Sequence, residues 1–251
     1  MNTSLRPDPR LARRSALVIG VGGLGCPAAL ALARSGIGRL LIADDDIVDA
    51  SNLHRQILFR PEHVGKDKLE IAAAELYARG ALPHSIEAVR SRFLPDNART
   101  LAESVDIVIE GADNFATKFL AADAAKLAHK PVVHGAAVRW TATVWAVQAG
   151  GKPCYRCLFE DLPAEGAAAS CAEAGVMGPV VGFAGALMAE FALRLLLDEA
   201  APVGRLFSYD GKLDRLRAVE IASRPSCPLC GSEPGISEIN EKMYMQPSCA
   251  A

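Results

Sequence analysis

Two pairs of cysteines have the spacing of metal ligands. Cys154 and Cys157 form one Cys-x-x-Cys motif, and Cys227 and Cys230 form a second one, 69 residues further along the chain. Four thiolates can hold zinc in a closed tetrahedral site that leaves no open position for catalysis. A single pair can instead act as a redox dithiol. Two pairs favour a structural zinc ion that fastens the end of the chain to an earlier segment.

The other cysteines give weaker signals. The total of seven is odd, which argues against a secreted disulfide framework. Cys171 lies among small residues, in a predicted loop that could deliver a thiolate to an activated acyl group. The alternative is a small buried side chain without chemistry, and Cys26 at a predicted helix start is expected to pack in that way.

A glycine-rich turn predicts a nucleotide site. The segment GVGGLG, residues 20–25, lies between a predicted strand and a predicted helix, so that Gly22 and Gly23 would let the backbone approach a phosphate. Asp44 ends the next predicted strand, where its carboxylate can accept hydrogen bonds from ribose hydroxyls. These features alone favour a dinucleotide cofactor, and a purely structural turn is the alternative.

Polar and cationic residues follow Asp44. The guanidinium of Arg55 matches phosphate oxygens and Lys68 adds a point charge, so that the two could hold a triphosphate. The alternative is that both are surface ion-pair residues, which is the commoner role of a single Lys or Arg. The remaining candidate contacts of this segment are Asp46, Ser51, Asn52, Leu53, His54 and Gln56.

Asp113 follows an apolar run that reads as a strand, 105–109. A carboxylate at this end of a parallel strand can hold magnesium against phosphates. Alternatively, Asp113 or Asn114 caps the helix predicted from Phe115 to Ala128.

The elements that position these residues alternate between strands and helices. Strands are predicted at 16–20, 39–43, 85–89, 105–109 and 131–134, and helices at 24–35, 67–79 and 115–128. This alternation predicts a Rossmann-like, doubly wound and mainly parallel α/β sheet. An antiparallel layer then continues it, with strands at 141–147, 205–209 and 215–221 and a hairpin turn at Asp210-Gly211.

Composition limits the class of protein. With 251 residues, 51% of them apolar, and a net charge of −2, the chain can bury a core and has no basic field for nucleic acid. The apolar stretch 176–197 contains Pro179, Glu190 and Arg194, which favours a buried helix over a membrane span. We expect a cytoplasmic protein with one domain, 1–237, and a C-terminal tail, 238–251.

Seven segments, in order, resemble those of the ThiF/MoeB/HesA adenylyltransferases, relatives of ubiquitin-activating enzymes. They are GVGGLGCP, ADDDIVDASNLHRQ, VGKDK, GADN, PCYRC, SCAEAGVMGP and SCPLCG, and the likeness covers roughly residues 10–237. The resemblance implies a homodimeric enzyme that uses ATP and magnesium to adenylate the C-terminal glycine of a small ubiquitin-like sulfur carrier ending in Gly-Gly. The nucleotide-binding half would span about 10–135, and the carrier-binding and zinc half about 136–237.

Roles carry over residue by residue. Gly23 and Asp44 resemble ATP contacts, residues 51–55 and Lys68 the phosphate-binding set, and Asp113 the magnesium-binding acid, with Asn114 beside it. The four paired cysteines resemble zinc ligands, and Cys171 the crossover-loop cysteine that in some members takes part in acyl-thiol or persulfide chemistry.

The resemblance has two departures. Family members carry an N-terminal helix with an arginine in an RYxRQ-like segment, which has no match here, and Arg6, Arg10, Arg13 or Arg14 would have to replace it. Where many relatives have a Gly-Gln pair, this chain has Ala142-Thr143, which would alter how the carrier tail threads. In addition, no rhodanese-like segment follows residue 237, so that a separate sulfur donor is expected. The rival hypotheses are a nicotinamide-dependent oxidoreductase and a zinc-stapled carrier-binding module with weak catalysis.

Overall fold

One continuous sheet of eight strands organises the computed structural model, which describes residues 7–163, 174–199 and 203–245. Its strands are β1 (Ser15–Ile19), β2 (Arg39–Ala43), β3 (Ile86–Val89), β4 (Ile107–Glu110), β5 (Val132–Val138), β6 (Thr141–Val147), β7 (Arg205–Asp210) and β8 (Arg215–Glu220). Their order is β3-β2-β1-β4-β5-β6-β7-β8. The first five are parallel and the last three antiparallel, so that the antiparallel strands prolong the parallel sheet, as the fold prediction requires.

Helices cover both faces of the sheet. Those of the described residues are α1 (Gly25–Arg34), α2 (Lys68–Ala78), α3 (Ala98–Glu103), α4 (Phe115–Leu127), α5 (Tyr155–Leu158) and α6 (Gly178–Leu196). Successive strand residues point to opposite faces. In β1, Val18 packs in the core with α1, α2 and α6, whereas Leu17 packs in a second core with α3 and α4. The doubly wound prediction is confirmed.

The long apolar helix α6 is a core element. Of the helices in the described residues, α6 is the one that is long and apolar enough to cross a membrane, but half of it is buried within the protein. Its inner face packs on α1, β5 and β6, and Pro179 lies in its first turn as predicted. A helix buried on one side in this way is typical of the interior of an α/β protein.

Most predicted elements end within one or two residues of their observed bounds, and a few features differ more. Strand β5 runs on to Val138, because its second half pairs with β6. The loop between β7 and β8 has four residues, 211–214, instead of a two-residue turn. The carboxylate of Asp210 organises that loop by accepting hydrogen bonds from the amides of Lys212 and Leu213. Helices α3 and α5 were not predicted.

The segment after residue 237 also packs against the protein. Tyr244 is buried, and Ile239 and Met243 lie against the core beside α4. The Tyr244 hydroxyl donates to Asp123 Oδ2 at 2.9 Å. The described part of the predicted tail is therefore held by an apolar anchor with one buried hydrogen bond.

A crevice lies where the strand order reverses. Strand β1 is flanked by β2 on one side and by β4 on the other, and the chain leaves β1 at Gly20 and β4 at Gly111. Open parallel sheets bind ligands at such a switch point, outside the carboxyl ends of the strands. The predicted glycine turn and the predicted magnesium loop are thus neighbours.

Candidate functional site

The glycine turn forms the floor of the crevice. Gly20 has φ +81°, in the left-handed region that favours glycine, and lies against the backbone of Gly111 and Ala112. A Cβ on Gly22 would meet no atom closer than the Gln56 amide nitrogen, at 3.9 Å. The backbone at Gly22 is therefore open to a ligand, and α1, starting at Gly25, offers its N-terminus beside it.

Asp44 and Lys68 belong to one polar cluster beside the turn. Asp44 Oδ2 accepts the Val21 amide at 2.7 Å, and its other oxygen accepts the Asp46 amide at 2.9 Å. Lys68 Nζ lies 2.8 Å from Asp46 Oδ2 and 3.9 Å from Asp44 Oδ1. Lys68 therefore forms an ion pair, as the alternative interpretation expects, but its side chain is only 5% exposed and so does not lie on the surface.

Arg55 also lies beside the turn. A Cβ on Gly23 would meet Val181 Cγ1 at 2.7 Å and two side-chain carbons of Arg55 at 3.4 Å, so that both side chains lie against this glycine. The guanidinium donates to Asn52 Oδ1, and Nη1 lies 3.4 Å from His54 Nε2. These contacts hold Arg55 against the turn while it stays partly exposed.

The rest of the predicted phosphate-binding segment has mixed environments. The Ser51 hydroxyl and amide both donate to Asp49, and Leu53 packs against the core beside α1. Gln56 is 4% exposed, and its Oε1 has no hydrogen-bond partner within the described ranges.

The second wall of the crevice is the loop between β4 and α4. Asn114 caps α4, its Oδ1 accepting the Thr117 amide at 2.8 Å, so that the capping role falls to Asn114 and not to Asp113. Asp113 is exposed, and its carboxylate makes no hydrogen bond or ion pair with the described part of the chain. A carboxylate held at a strand end without a protein partner can bind a cation.

A buried ionic network lies beneath that loop, and sequence analysis missed it. The fully buried Glu110 accepts from Lys118 Nζ at 3.0 and 3.1 Å, from the Ala112 amide at 2.7 Å and from His134 Nδ1 at 3.1 Å. Lys118 also donates to the Gly135 carbonyl at 2.6 Å. A usable signal was the acid that ends the otherwise apolar strand β4, since a buried carboxylate requires a partner.

Charge in the network is balanced. Burial acts to raise the pKa of Glu110, but the nearby Lys118 and His134 outweigh it and hold that pKa below its ordinary value. Burial lowers the pKa of His134, more than Glu110 raises it. The network therefore contains one cation, one anion and a neutral imidazole at neutral pH.

The four paired cysteines converge. Their Sγ atoms all lie within 4.8 Å of one another. Three of the separations are 3.9, 3.5 and 3.3 Å, for the pairs 154–157, 154–227 and 157–230. Tetrahedral zinc with Zn–S bonds of about 2.3 Å needs sulfurs about 3.8 Å apart. The cluster is therefore compatible with zinc, and two separate redox dithiols would not require this convergence.

The thiols of this sulfur cluster (Cys154, Cys157, Cys227 and Cys230) differ in environment. Burial raises the pKa of Cys154, and it raises the pKa of Cys230 to about 11. Burial acts to raise the pKa of Cys227, but the amides of Cys230 and Leu229 hold that pKa below its ordinary value. Cys26, in contrast, is fully buried elsewhere and burial raises its pKa to about 12, in agreement with a packing role. Cys171 lies outside the described residues.

Comparison with protein-family models identifies the group to which this arrangement belongs. Residues 6–229 match the model of the ThiF family. The chain belongs to the ThiF family.

Individual relatives agree with the family assignment. The chain is 39% identical over 243 residues to the SAMP-activating enzyme E1 of Haloferax volcanii, covering 96% of this chain and 88% of that protein. It is 40% identical over 236 residues to the sulfur carrier protein adenylyltransferase of Thermus thermophilus, covering 92% and 87%. Both ThiF relatives match along nearly their whole length.

Solved structures support the fold alone. A structure of Escherichia coli MccB with MccA-N7isoAsn has a TM-score of 0.78 to this ThiF-family chain, at 22% identity, and covers 89% of this chain and 68% of that one.

Proposed function

We propose that this ThiF-family protein adenylates the C-terminal glycine of a small ubiquitin-like sulfur carrier with ATP. The observation that carries the proposal is the crevice between β1 and β4. There the backbone at Gly22 is open, Arg55 lies against Gly23, and Gly20 lies against the start of the Asp113 loop. Asp44 accepts the Val21 amide of the same turn and lies 3.9 Å from Lys68 Nζ. A nicotinamide-dependent oxidoreductase would use the glycine turn but would not need these cations or the sulfur cluster.

The reaction joins two anions, so that neutralisation and alignment are the main tasks of the site. A carboxylate oxygen of the carrier attacks the α-phosphorus, the bond from that phosphorus to the β-phosphate oxygen breaks, and pyrophosphate leaves. Arg55 and Lys68 oppose the repulsion between the carboxylate and the phosphates, and the turn backbone aligns the nucleotide. The product is a mixed anhydride that a sulfur nucleophile can open.

Asp113 is the proposed magnesium ligand, with Asn114 fixing the loop beside it. Bound magnesium would neutralise charge on the phosphates. The fit rests on an exposed carboxylate in the loop that follows β4, which has no partner in the described residues. The cysteines of the sulfur cluster, with their four thiol donors, would hold zinc in a structural role.

The remaining assignments extend this proposal. The nucleotide-binding half spans about 10–135 and the carrier-binding and zinc half about 136–237. A cavity of about 310 Å³ beside Arg139, Trp140 and Lys212, at the start of α6, is a place for the carrier to approach. The protein acts as a cytoplasmic homodimer, sulfur comes from a separate donor, and Cys171 contributes to transfer.

The decisive experiment is ATP–pyrophosphate exchange with a carrier that ends in Gly-Gly. Exchange should require the intact carrier tail and magnesium, and a carrier without its last two residues is the matched control. Exchange without the tail would refute the proposed acceptor. If nucleotide and carrier bind but no AMP forms, the protein is instead a binding module with weak catalysis. A change in nicotinamide absorbance would identify the oxidoreductase.

A further inference from the structure

The buried network beneath the magnesium loop holds that loop on both sides of Asp113. On the N-terminal side, the amide of Ala112 donates to Glu110 Oε1 at 2.7 Å. On the C-terminal side, Lys118 lies in the first turns of α4 and donates to both oxygens of the same carboxylate. One carboxylate therefore fixes the residue before Asp113 and the helix that begins just after it.

The network is tied to a third element. Lys118 Nζ also donates to the Gly135 carbonyl of β5 at 2.6 Å. Gly135 in turn lies close under Met188 of α6, where an added Cβ would clash with the sulfur. The loop is thus fastened to β4, α4 and β5 together, whereas the Asp113 carboxylate itself has no partner in the described chain.

We propose that Glu110 and Lys118 are positioning residues that place the Asp113 carboxylate for binding of the magnesium–nucleotide complex. This inference rests on the proposed function. Neither residue is available to the nucleotide, because the three donors of the Lys118 ammonium are taken by both oxygens of Glu110 and by the Gly135 carbonyl. They act through the backbone on either side of Asp113, in the way that groups behind a metal ligand set its orientation and the affinity for the metal.

A second buried ion pair on the same helix supplies a matched control. Asp123 lies about 12 Å along the axis from the first residue of α4. It is fully buried and accepts from Arg156 Nε and Nη2 at 2.9 and 2.8 Å. Asp123→Asn breaks a buried pair on α4 as Lys118→Met does, but far from the Asp113 loop.

The test measures how much magnesium each variant needs to retain ATP. Equilibrium dialysis of labelled ATP against increasing Mg²⁺, without carrier, gives the half-saturating concentration, and circular dichroism establishes folding. Lys118→Met should raise that concentration about tenfold, at the lower end of the range for groups behind a metal ligand. Asp123→Asn should melt earlier than the wild type but keep its magnesium requirement.

The double variant Glu110→Gln with Lys118→Met leaves no unpaired buried charge and replaces Lys118→Met if the single variant does not fold. It should show the same shift. An unchanged requirement in either folded variant overturns the positioning role, and so does an equal shift in Asp123→Asn. Wild-type retention of ATP without magnesium also overturns it. The dialysis contains no carrier and therefore does not depend on adenylation. If the variants show the predicted magnesium requirements but the wild type forms no AMP with a carrier, only the proposed adenylation is refuted.

Discussion

The proposed zinc site predicts that removal of the metal releases one specific part of the chain, the segment 222–237 that carries Cys227 and Cys230. The perturbation is Cys227→Ser, or a strong zinc chelator applied to the wild type. Few apolar side chains pack around the sulfur cluster: in the described residues, Leu229 is fully buried beside it and Ile236 is half-buried against it. We therefore expect the metal to supply what the packing of this segment lacks.

The magnitude can be estimated from the contacts of the segment. Ordering the backbone of its 16 residues costs about 16 kcal/mol, at about 1 kcal/mol each. Burial of Leu229 and part of Ile236 contributes about 4 kcal/mol. Four backbone hydrogen bonds and the bond from Arg224 to the Arg156 carbonyl add about 5 kcal/mol. The remaining deficit of about 7 kcal/mol lies below the roughly 10–16 kcal/mol of a structural zinc site.

Hydrogen exchange with mass spectrometry, together with zinc analysis, measures this prediction. Loss of zinc should remove amide protection from 222–237, while α1 and the central strands stay protected because their cores contain none of the four ligands. The matched control is Cys26→Ala, which changes a buried thiol outside the cluster and should keep one zinc per chain. Protected amides at 227–236 in zinc-free protein would refute the reasoning, and a full zinc content in Cys227→Ser would refute the ligand assignment.

Three further predictions concern the crevice and the network beneath it. Asp113→Asn should melt like the wild type but lose AMP formation by at least about a hundredfold, as for other groups that stabilise transition-state charge; retained activity would remove the magnesium assignment. Gly22→Ala should fold, since its Cβ meets no atom closer than 3.9 Å, but it should bind ATP more weakly, because that Cβ enters the space proposed for the nucleotide. Gly25→Ala should not fold, because its Cβ would overlap the Gly20 carbonyl. Equal solubility of the two variants would contradict this. Burial lowers the pKa of His134. Below about pH 6.5 this side chain therefore takes up a proton more readily in the unfolded chain than in the folded one, so that the free energy of unfolding should decrease as the pH is lowered. In thermal melts at pH values from 7.5 down to 5.5, His134→Asn should lose less stability than the wild type, whereas the exposed control His129→Asn should lose as much as the wild type. Identical pH profiles for the two variants would contradict the assignment of this effect to His134.

The elements that sequence analysis placed well have strong local signals. Strands β2 and β6 have the bounds that their apolar residues predict, and α4 begins at Phe115 directly after its cap. Each is bounded by residues that end regular structure, such as the glycines and the Asp-Asn pair. The order of glycine turn, acidic strand end and Asp113 loop sufficed to locate the crevice, because parallel strands bring their carboxyl ends to one edge.

What the sequence did not predict depends on contacts between distant residues. The second half of β5 reads as a glycine- and alanine-rich loop and becomes a strand only because β6 pairs with it. Glu110, Lys118 and His134 lie on three elements and up to 24 residues apart, so that no spacing rule connects them. Lys68 was assigned a phosphate role, yet its pairing with Asp46, 22 residues earlier, needs the folded crevice to be seen.

Helix α4 connects the two chemical features of this protein, and its contacts suggest how far a change in one reaches the other. Its first turns are held by Asn114 and by Lys118 with Glu110, whereas its middle is held by Asp123, which pairs with Arg156 between the first two zinc-cluster cysteines. Loss of zinc would loosen the contact at Asp123 and leave the attachment at Lys118 intact. Both contacts are buried ion pairs, but the one at Lys118 is closer to Asp113, so that the magnesium requirement should depend more on Lys118 than on zinc. The start and the middle of α4 would then act as separate anchors, one for the nucleotide crevice and one for the sulfur cluster.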